Sequence, residues 1–210
     1  MKVISVNIGG AGRLSFDGAH LQTGIFKSSV EGPAFLTQTG FRGDVQVDRK
    51  NHGGPDKAVC VYCADHFDEW EDVVGYRLPP GAFGENLTVT GMDEKTVRIG
   101  DVYSVGECEL QVSQPRQPCQ KLAKKVGDLE FSNRVIALGL TGFYFRVLKE
   151  GRVAQGDAIT IESTNEDACS IAYANGVLYD RLEGASGIER LLAEPALSSS
   201  WRQVLSARRS

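Results

Sequence analysis

The sequence predicts a mainly β protein, a barrel or sandwich with a few inserted helices and a short helical appendage at its C-terminal end. Short β-branched and apolar runs recur between glycine-containing turns over the first ~160 residues. No long helical pattern alternates with these runs, so a parallel α/β sheet is disfavoured. After Ser163 the apolar residues recur at helical spacing instead.

Seven runs are predicted to be strands because they are short, apolar or β-branched, and bounded by turn residues. A Gly-Asp pair directly precedes two of these runs, at residues 100–101 and 156–157. The same pair occurs at residues 43–44. The predicted strands cover residues 2–8, 58–62, 86–90, 102–105, 109–113, 143–148 and 158–162.

Two helical insertions and three terminal helices complete the prediction. The insertions lie at residues 64–72 and within residues 119–138. Ser186 and Ser200 each precede a Glu or Gln by three residues, which is the capping-box pattern, and Pro195 separates the last two helices. Each of the three helices is too short to be stable alone. We therefore predict a β domain at residues 1–163 and a three-helix domain at 164–210, whose helices pack on each other or on the β domain.

Composition excludes several classes of protein. A formal net charge of -4 argues against a general nucleic-acid binder. The apolar run at the N-terminus is too broken for a signal peptide, and no stretch reaches the length of a membrane span. Five scattered cysteines and no export signal predict a cytoplasmic protein with reduced thiols.

One cysteine, Cys119, lies in an unusually cationic setting. Pro118 suits the first position of a helix, which would make Gln117 the cap and place Cys119 in the first turn. No acid lies between residues 114 and 125, and four cations do: Arg116, Lys121, Lys124 and Lys125. This setting favours a thiolate, which is a nucleophile or a soft metal ligand. The alternative, a buried cysteine that behaves as a small apolar residue, stays open.

A second basic stretch precedes the strand predicted at residues 58–62. Gly53 and Gly54 would let the backbone approach an anion closely, and His52 could carry a proton. Arg49, Lys50 and Lys57 add positive charge. Taken alone, however, the pattern favours a solvated glycine-rich turn.

Metal clusters are disfavoured. Cys60 and Cys63 would point to opposite faces of a strand, and no second ligand pair has zinc spacing. The other cysteines lack ferredoxin-like spacing. We therefore expect no zinc and no iron–sulfur cluster in this chain.

Several segments, in order, resemble the MOSC-domain family, named after the C-terminal domain of molybdenum-cofactor sulfurase. The most specific are His-Gly-Gly-Pro-Asp-Lys-Ala-Val at 52–59 and Gln-Pro-Arg-Gln-Pro-Cys at 114–119. The others are residues 5–7, 23–27, 83–87, 99–101, 121–122 and 141–148. The three-helix tail is similar to that of the hydroxylaminopurine-resistance branch.

The resemblance implies a closed β-barrel that binds molybdenum cofactor, in its molybdopterin form, with Cys119 as the metal ligand. It implies that cations hold the phosphate and the pterin edge, for which the candidates are Lys27, Arg49, Lys57, Arg116 and Arg146. Backbone N–H groups of Gly53 and Gly54 would bind the same anion. Asp56 belongs to the same cofactor-binding set, and His52 and Asn86 would line the pocket.

By resemblance, the activity is the two-electron reduction of N-hydroxylated compounds, such as N-hydroxylated purine bases, to amines. His52 is the candidate proton donor. Because the chain shows no cluster pattern, we expect electrons from a separate reductase, a flavoprotein. We expect no nucleic-acid or membrane partner, and the sequence leaves the oligomeric state open. Two alternatives also remain: a carrier of the cofactor, and a sulfur carrier that holds a persulfide on Cys119.

Overall fold

The computed structural model describes residues 1–16, 19–47 and 53–209, without the side chains of Phe16 and Ala19. In these ranges the chain forms thirteen strands: β1 (Lys2–Ile8), β2 (Gly12–Phe16), β3 (Ala19–Thr23), β4 (Ser28–Ser29), β5 (Ala34–Thr37), β6 (Gly40–Phe41), β7 (Val59–Cys63), β8 (Leu87–Thr90), β9 (Val102–Val105), β10 (Cys108–Pro115), β11 (Phe143–Lys149), β12 (Gly151–Val153) and β13 (Ile159–Ser163). The same ranges contain six α-helices: α1 (Phe67–Val74), α2 (Gln120–Val126), α3 (Phe131–Leu138), α4 (Ile171–Tyr179), α5 (Gly184–Ala193) and α6 (Ser199–Arg208). Short 3₁₀ turns cover Pro55–Lys57 and Ala64–His66.

Eight strands form one large mixed sheet, in the order β13-β9-β10-β11-β7-β8-β1-β4. Its neighbouring strands are antiparallel except β7 and β8, which run parallel and are joined by a connection that contains α1. A three-stranded sheet, β12-β5-β6, and the β2–β3 hairpin complete the strand pairing.

The expected closed barrel was wrong, because strand pairing does not close the large sheet. Its edges are β4 and β13. Across the gap, residues 1–3 and 156–159 share an isolated bridge, Lys2 with Ala158, and three backbone hydrogen bonds of 2.9 to 3.1 Å. The turn at Gly156, where φ is 93°, directs the chain into β13 and its ladder with β9, so contact with β1 stays short.

The predicted strands were confirmed to within two residues at each end, and β1 and β9 have the predicted bounds. The predicted insertion within residues 119–138 is two helices, since Gly127 adopts a left-handed conformation and ends α2. Both predicted capping boxes were wrong. Ser186 lies inside α5, and the residue that caps α6 is Ser198, whose hydroxyl accepts a hydrogen bond from the N–H of Trp201.

The tail packs on the sheet through a shared hydrophobic core. Val3 and Leu110 of the sheet belong to the same buried cluster as Leu191, Trp201 and Leu205 of the tail. Burial of large apolar side chains is the main stabilising term in such a contact. The domain boundary predicted after Ser163 stays a prediction, but the packing between the two parts is observed.

A second cluster lies between α1, α2, α3 and the strand β7. The rings of Tyr62 and Phe83 stack at 3.6 Å between centroids, and Trp70 donates a hydrogen bond to the Tyr62 hydroxyl. Phe131 packs on the same group. This cluster fixes the loop that contains Phe83 against α2, just beyond Cys119.

No helix in the described part of the chain is long and apolar enough to span a bilayer.

Candidate functional site

Five of the predicted site residues lie around one pocket of about 90 Å³. The pocket lies where the loops after β3 and β6 meet the segments before β7, β8 and α2, with Tyr144 of β11 closing one side. The predicted residues that line it are Lys27, Lys57, Asn86, Arg116 and Cys119.

Lys27 is held by an acid that the sequence did not suggest. Its Nζ lies 2.5 Å from Oδ1 and 2.6 Å from Oδ2 of Asp44. Asn86 donates from Nδ2 to the same carboxylate at 3.0 Å. These side chains are nearly fully buried, so the pair offsets the charge of Lys27 and fixes one wall of the pocket. The Gly-Asp pair at Gly43 was the available signal for Asp44.

Arg116 is a buried cation of the pocket. Its Nη2 donates to the carbonyl of Phe83 at 2.7 Å, and its backbone N–H to the carbonyl of Gly142 at 3.0 Å. Its Nη1 is buried and has no hydrogen-bond partner among the described residues. Burial alone would lower the pKa of Arg116, but Cys60, Tyr144 and other neighbours raise it. A charged guanidinium with an unused donor in a pocket is suited to an anionic or carbonyl ligand.

Cys119 is half-buried, unlike Cys60, Cys63, Cys108 and Cys169, which are buried. It has extended φ and ψ and is itself the cap of α2, so the predicted cap, Gln117, was two residues too early. The Cys119 carbonyl accepts hydrogen bonds from the N–H of Leu122 and the hydroxyl of Ser132, each at 2.9 Å. These contacts fix the backbone that carries the thiol.

Two further groups of the pocket, Cys60 and Tyr144, have raised pKa values. Burial raises the pKa of Cys60 to about 11, although Arg116 opposes this shift. Burial also raises the pKa of Tyr144 well above its usual range. These shifts favour the protonated form of both groups, and the two side chains share a hydrogen bond with each other.

Glu85 and Lys125 contact the loops that form the pocket. From the sequence, Glu85 had no individual role, and Lys125 was placed among the cations around Cys119. Glu85 accepts hydrogen bonds from the N–H of Gly81 at 2.6 Å and of Phe83 at 3.0 Å, and burial raises its pKa. Lys125 donates from Nζ to the carbonyls of Ile25 and Gly81, and burial lowers its pKa to about 8. The Phe-Gly-Glu-Asn segment at 83–86 was the signal for Glu85.

The remaining predicted residues lie elsewhere. Asp56 and Arg146 form an ion pair of 2.8 Å outside the pocket, so their charges satisfy each other instead of a ligand. Arg146 follows the core residue Phe145 on β11 and so faces away from the core, toward the tail. Gly53 and Gly54 precede the 3₁₀ turn and do not line the pocket. Arg49 and His52 fall outside the described residues.

An outer cavity of about 670 Å³ adjoins the pocket. Lys57, Cys119 and Tyr144 line both spaces. The outer walls include Leu21 of β3, part of α2, and α6 of the tail. The combined site offers a thiol, a buried guanidinium and a space of the size used for small molecules.

The sequence matches two described families, MOSC domain over residues 48–160 and YiiM-like, 3-alpha helix domain over residues 170–210. It is 49% identical to protein YflK of Bacillus subtilis (strain 168) over 200 residues, 95% of this chain and 90% of that protein. The crystal structure of YiiM from Geobacillus stearothermophilus superposes with a TM-score of 0.84 at 34% identity, covering 100% and 99% of the two chains. A protein named Reductase from Gibberella moniliformis (strain M3125 / FGSC 7600) is 37% identical over 152 residues, which are 69% of this chain and 26% of that protein.

Proposed function

Because the chain belongs to the MOSC-domain family and contains the YiiM-like three-helix domain, we propose that it is a molybdenum-cofactor-dependent reductase. Its substrates in this proposal are N-hydroxylated compounds, including N-hydroxylated purine bases, which it converts to amines. The name of the fungal relative, Reductase, supports the reaction class.

The observation that carries the proposal is the pairing of Cys119 with the unused donor of Arg116 in one pocket. Molybdenum cofactor combines a metal that accepts soft ligands with an anionic phosphate and a pterin rich in hydrogen-bonding groups. Cys119 would hold the metal, and Arg116 would bind an oxygen of the organic part. The pocket alone is too small for a pterin, so part of the cofactor would extend into the end of the outer cavity next to Cys119, and the part toward α6 would stay open to a substrate.

When bound, the cofactor supplies the two-electron chemistry that breaks the N–O bond. The chain's own groups bind and orient. Arg116 carries a positive charge in a buried setting, where electrostatic attraction is strong. Tyr144 lines both spaces, its raised pKa makes it a weak acid, and its hydroxyl shares a hydrogen bond with the side chain of Cys60. His52 remains our proposed proton donor. We also propose a separate flavoprotein reductase as the electron donor and the cytoplasm as the compartment.

Molybdenum content per chain tests the proposal directly. We expect near-stoichiometric metal in protein from cells that make the cofactor, and none in Cys119→Ala. Cys108→Ala is the matched control, since Cys108 is a buried thiol outside the pocket. Equal metal in wild type and Cys119→Ala would contradict the assignment of Cys119.

The loaded protein should then reduce hydroxylamines when supplied with reduced viologen dye. Bound metal without turnover would identify a cofactor carrier instead. Persulfide sulfur on Cys119 without molybdenum would identify a sulfur carrier. Either result would replace the reductase proposal.

A further inference from the structure

We propose that α6, the last helix of the tail, forms a wall of the substrate channel to Cys119, and that Gln203 limits the size of what passes. The part of this proposal that concerns substrates depends on the reductase function proposed above. The part that concerns access to Cys119 does not.

The cavity itself places α6 at the site. Ser200, Gln203 and Val204 of α6 line the same outer cavity as Cys119. The volume, about 670 Å³, falls in the range of small-molecule sites. A molecule that reaches Cys119 through this cavity therefore passes the exposed side chain of Gln203 and the half-buried side chain of Val204.

The start of α6 is fastened to the two segments that carry site residues. Gln114, five residues before Cys119, accepts hydrogen bonds at its Oε1 from the hydroxyls of Ser198 at 2.7 Å and Ser200 at 2.9 Å. Asp56, next to Lys57, accepts a hydrogen bond at its Oδ2 from the N–H of Ser199 at 3.0 Å. These contacts fix the position of α6 relative to the pocket. A wall that selects ligands by size needs such a fixed position.

A third connection links the sheet to the approach of α6. Arg146 donates from Nη2 to the carbonyl of Ala196 at 2.9 Å while it pairs with Asp56. The two charged residues that lie outside the pocket thus hold the helix that borders the cavity. This arrangement assigns the tail a role at the site.

The chemistry of the wall suits a planar heterocycle. Gln203 and Gln120 both expose amide groups at the cavity, and an amide can donate to and accept from adjacent positions of a base edge. Leu21 and Val204 add apolar surface, on which the face of a ring can pack. A neutral, ring-shaped N-hydroxylated base uses all of these features, whereas hydroxylamine itself uses none.

Alkylation of Cys119 in cofactor-free protein tests the wall without any turnover. Cys119 is half-buried, whereas the other four cysteines are buried, so labelling reports on Cys119. The Cys119→Ala variant provides the blank. The probes are iodoacetamide, which is small, and fluorescein maleimide, which is bulky. The test variant is Gln203→Trp, and the control is Ser206→Trp, at an exposed position of α6 that does not line the cavity.

We expect Gln203→Trp to slow the bulky reagent by about tenfold or more, a steric penalty of the size seen in tight pockets. Iodoacetamide should react at the wild-type rate, and Ser206→Trp should behave as wild type with both probes. Unchanged labelling by the bulky probe would overturn the proposal. An equal loss for both probes would also overturn it, because the substitution would then act on Cys119 and not on the channel.

Turnover of the loaded enzyme gives the second comparison. Gln203→Trp should lower kcat/KM for an N-hydroxylated purine base and leave that for hydroxylamine unchanged. Equal losses for both substrates would overturn the role of Gln203 in selecting substrates. If the wild type reduced neither compound, the reductase proposal would fail, and the alkylation rates would still decide whether α6 forms the wall.

Discussion

Arg146 donates two hydrogen bonds to Oδ1 of Asp56, from Nε at 3.1 Å and from Nη2 at 2.8 Å. The pair is partly buried between the sheet and the start of α6. Both residues belong to the sequence segments that resemble the family, yet their side chains connect parts of the fold. At these two positions the side chains contact the start of α6 and its approach instead of lining the pocket.

Replacing Arg146 by Ala should destabilise the chain by about 1–3 kcal/mol, because Asp56 keeps its partly buried charge without its partner. Urea unfolding measures the loss. Arg209→Ala is the control, since Arg209 and Glu189 pair at 3.0 Å with both side chains mostly exposed. That change should cost about 0–1 kcal/mol. Equal losses in the two variants would contradict the structural role of Arg146.

Gly142→Ala should be far more damaging than Gly139→Ala. Both glycines have positive φ, 72° and 71°, so alanine strains either site by about 1–2 kcal/mol. At Gly142 a Cβ would also overlap the carbonyl oxygen of Val61, whereas at Gly139 it would meet nothing within 4 Å. We expect a loss of about 3 kcal/mol or more for Gly142→Ala in urea unfolding. Similar losses of stability in the two variants would show that the backbone at Gly142 shifts at little cost to make room for a Cβ.

His66 should make stability depend on pH. Burial by itself would lower its pKa, but the hydrogen bond to Glu94 at 2.9 Å, the charge of Glu94 and nearby acids raise it. A raised pKa in the folded state stabilises the protein below the unfolded value of about 6.5, and this contribution is lost as pH rises through the folded pKa. The stability difference between wild type and His66→Gln should therefore be largest near pH 6 and shrink above it.

Urea midpoints of both proteins across this pH range measure the effect of His66. Glu94→Gln provides the second comparison, because it removes the charge that raises the pKa of His66. In the Glu94→Gln background, the stability difference between His66 and His66→Gln should therefore no longer decline as pH rises. A difference between wild type and His66→Gln that grew with rising pH would have the wrong sign and contradict the prediction.

Arg116→Met should separate stability from cofactor binding. The substitution removes a buried charge but leaves the carbonyl of Phe83 without its hydrogen bond, so we expect the empty protein to lose about 1–3 kcal/mol of stability. In the wild type, bound cofactor should raise the urea midpoint, because a ligand that binds the folded state stabilises it. The variant should lose that increase. Arg134→Met, at a half-exposed residue of α3, should keep it. If bound cofactor raised the urea midpoint of Arg116→Met as much as that of the wild type, Arg116 would be excluded from the cofactor site.

Strand positions were predictable because local alternation and turn residues determine them. Closure of the sheet was not, since it depends on which strands pair over long distances in the chain. Six described strands were missed: β2 and β3 with five residues each, β5 with four, and the short strands β4, β6 and β12. Two or three residues carry too little pattern to indicate a strand, and partners elsewhere in the chain define these elements.

The family motif at residues 114–119 predicts that Arg116 and Cys119 share a site, and the structure places both at one pocket. The residue types alone left the use of Cys119 open. Charged residues with several possible partners were harder. Lys27 pairs with Asp44 inside the pocket and Arg146 with Asp56 outside it, and no local feature of the sequence distinguishes the two cases.

The shared core also sets the order in which the chain can fold during synthesis. Val3 of the first strand and Leu205 of the last helix belong to the same buried cluster. A ribosome releases the chain from its N-terminus, at a rate of about 5–20 residues per second. The sheet therefore waits several seconds with part of its apolar face uncovered until α6 emerges. During that interval the nascent chain is a natural client for a chaperone that binds exposed apolar surface.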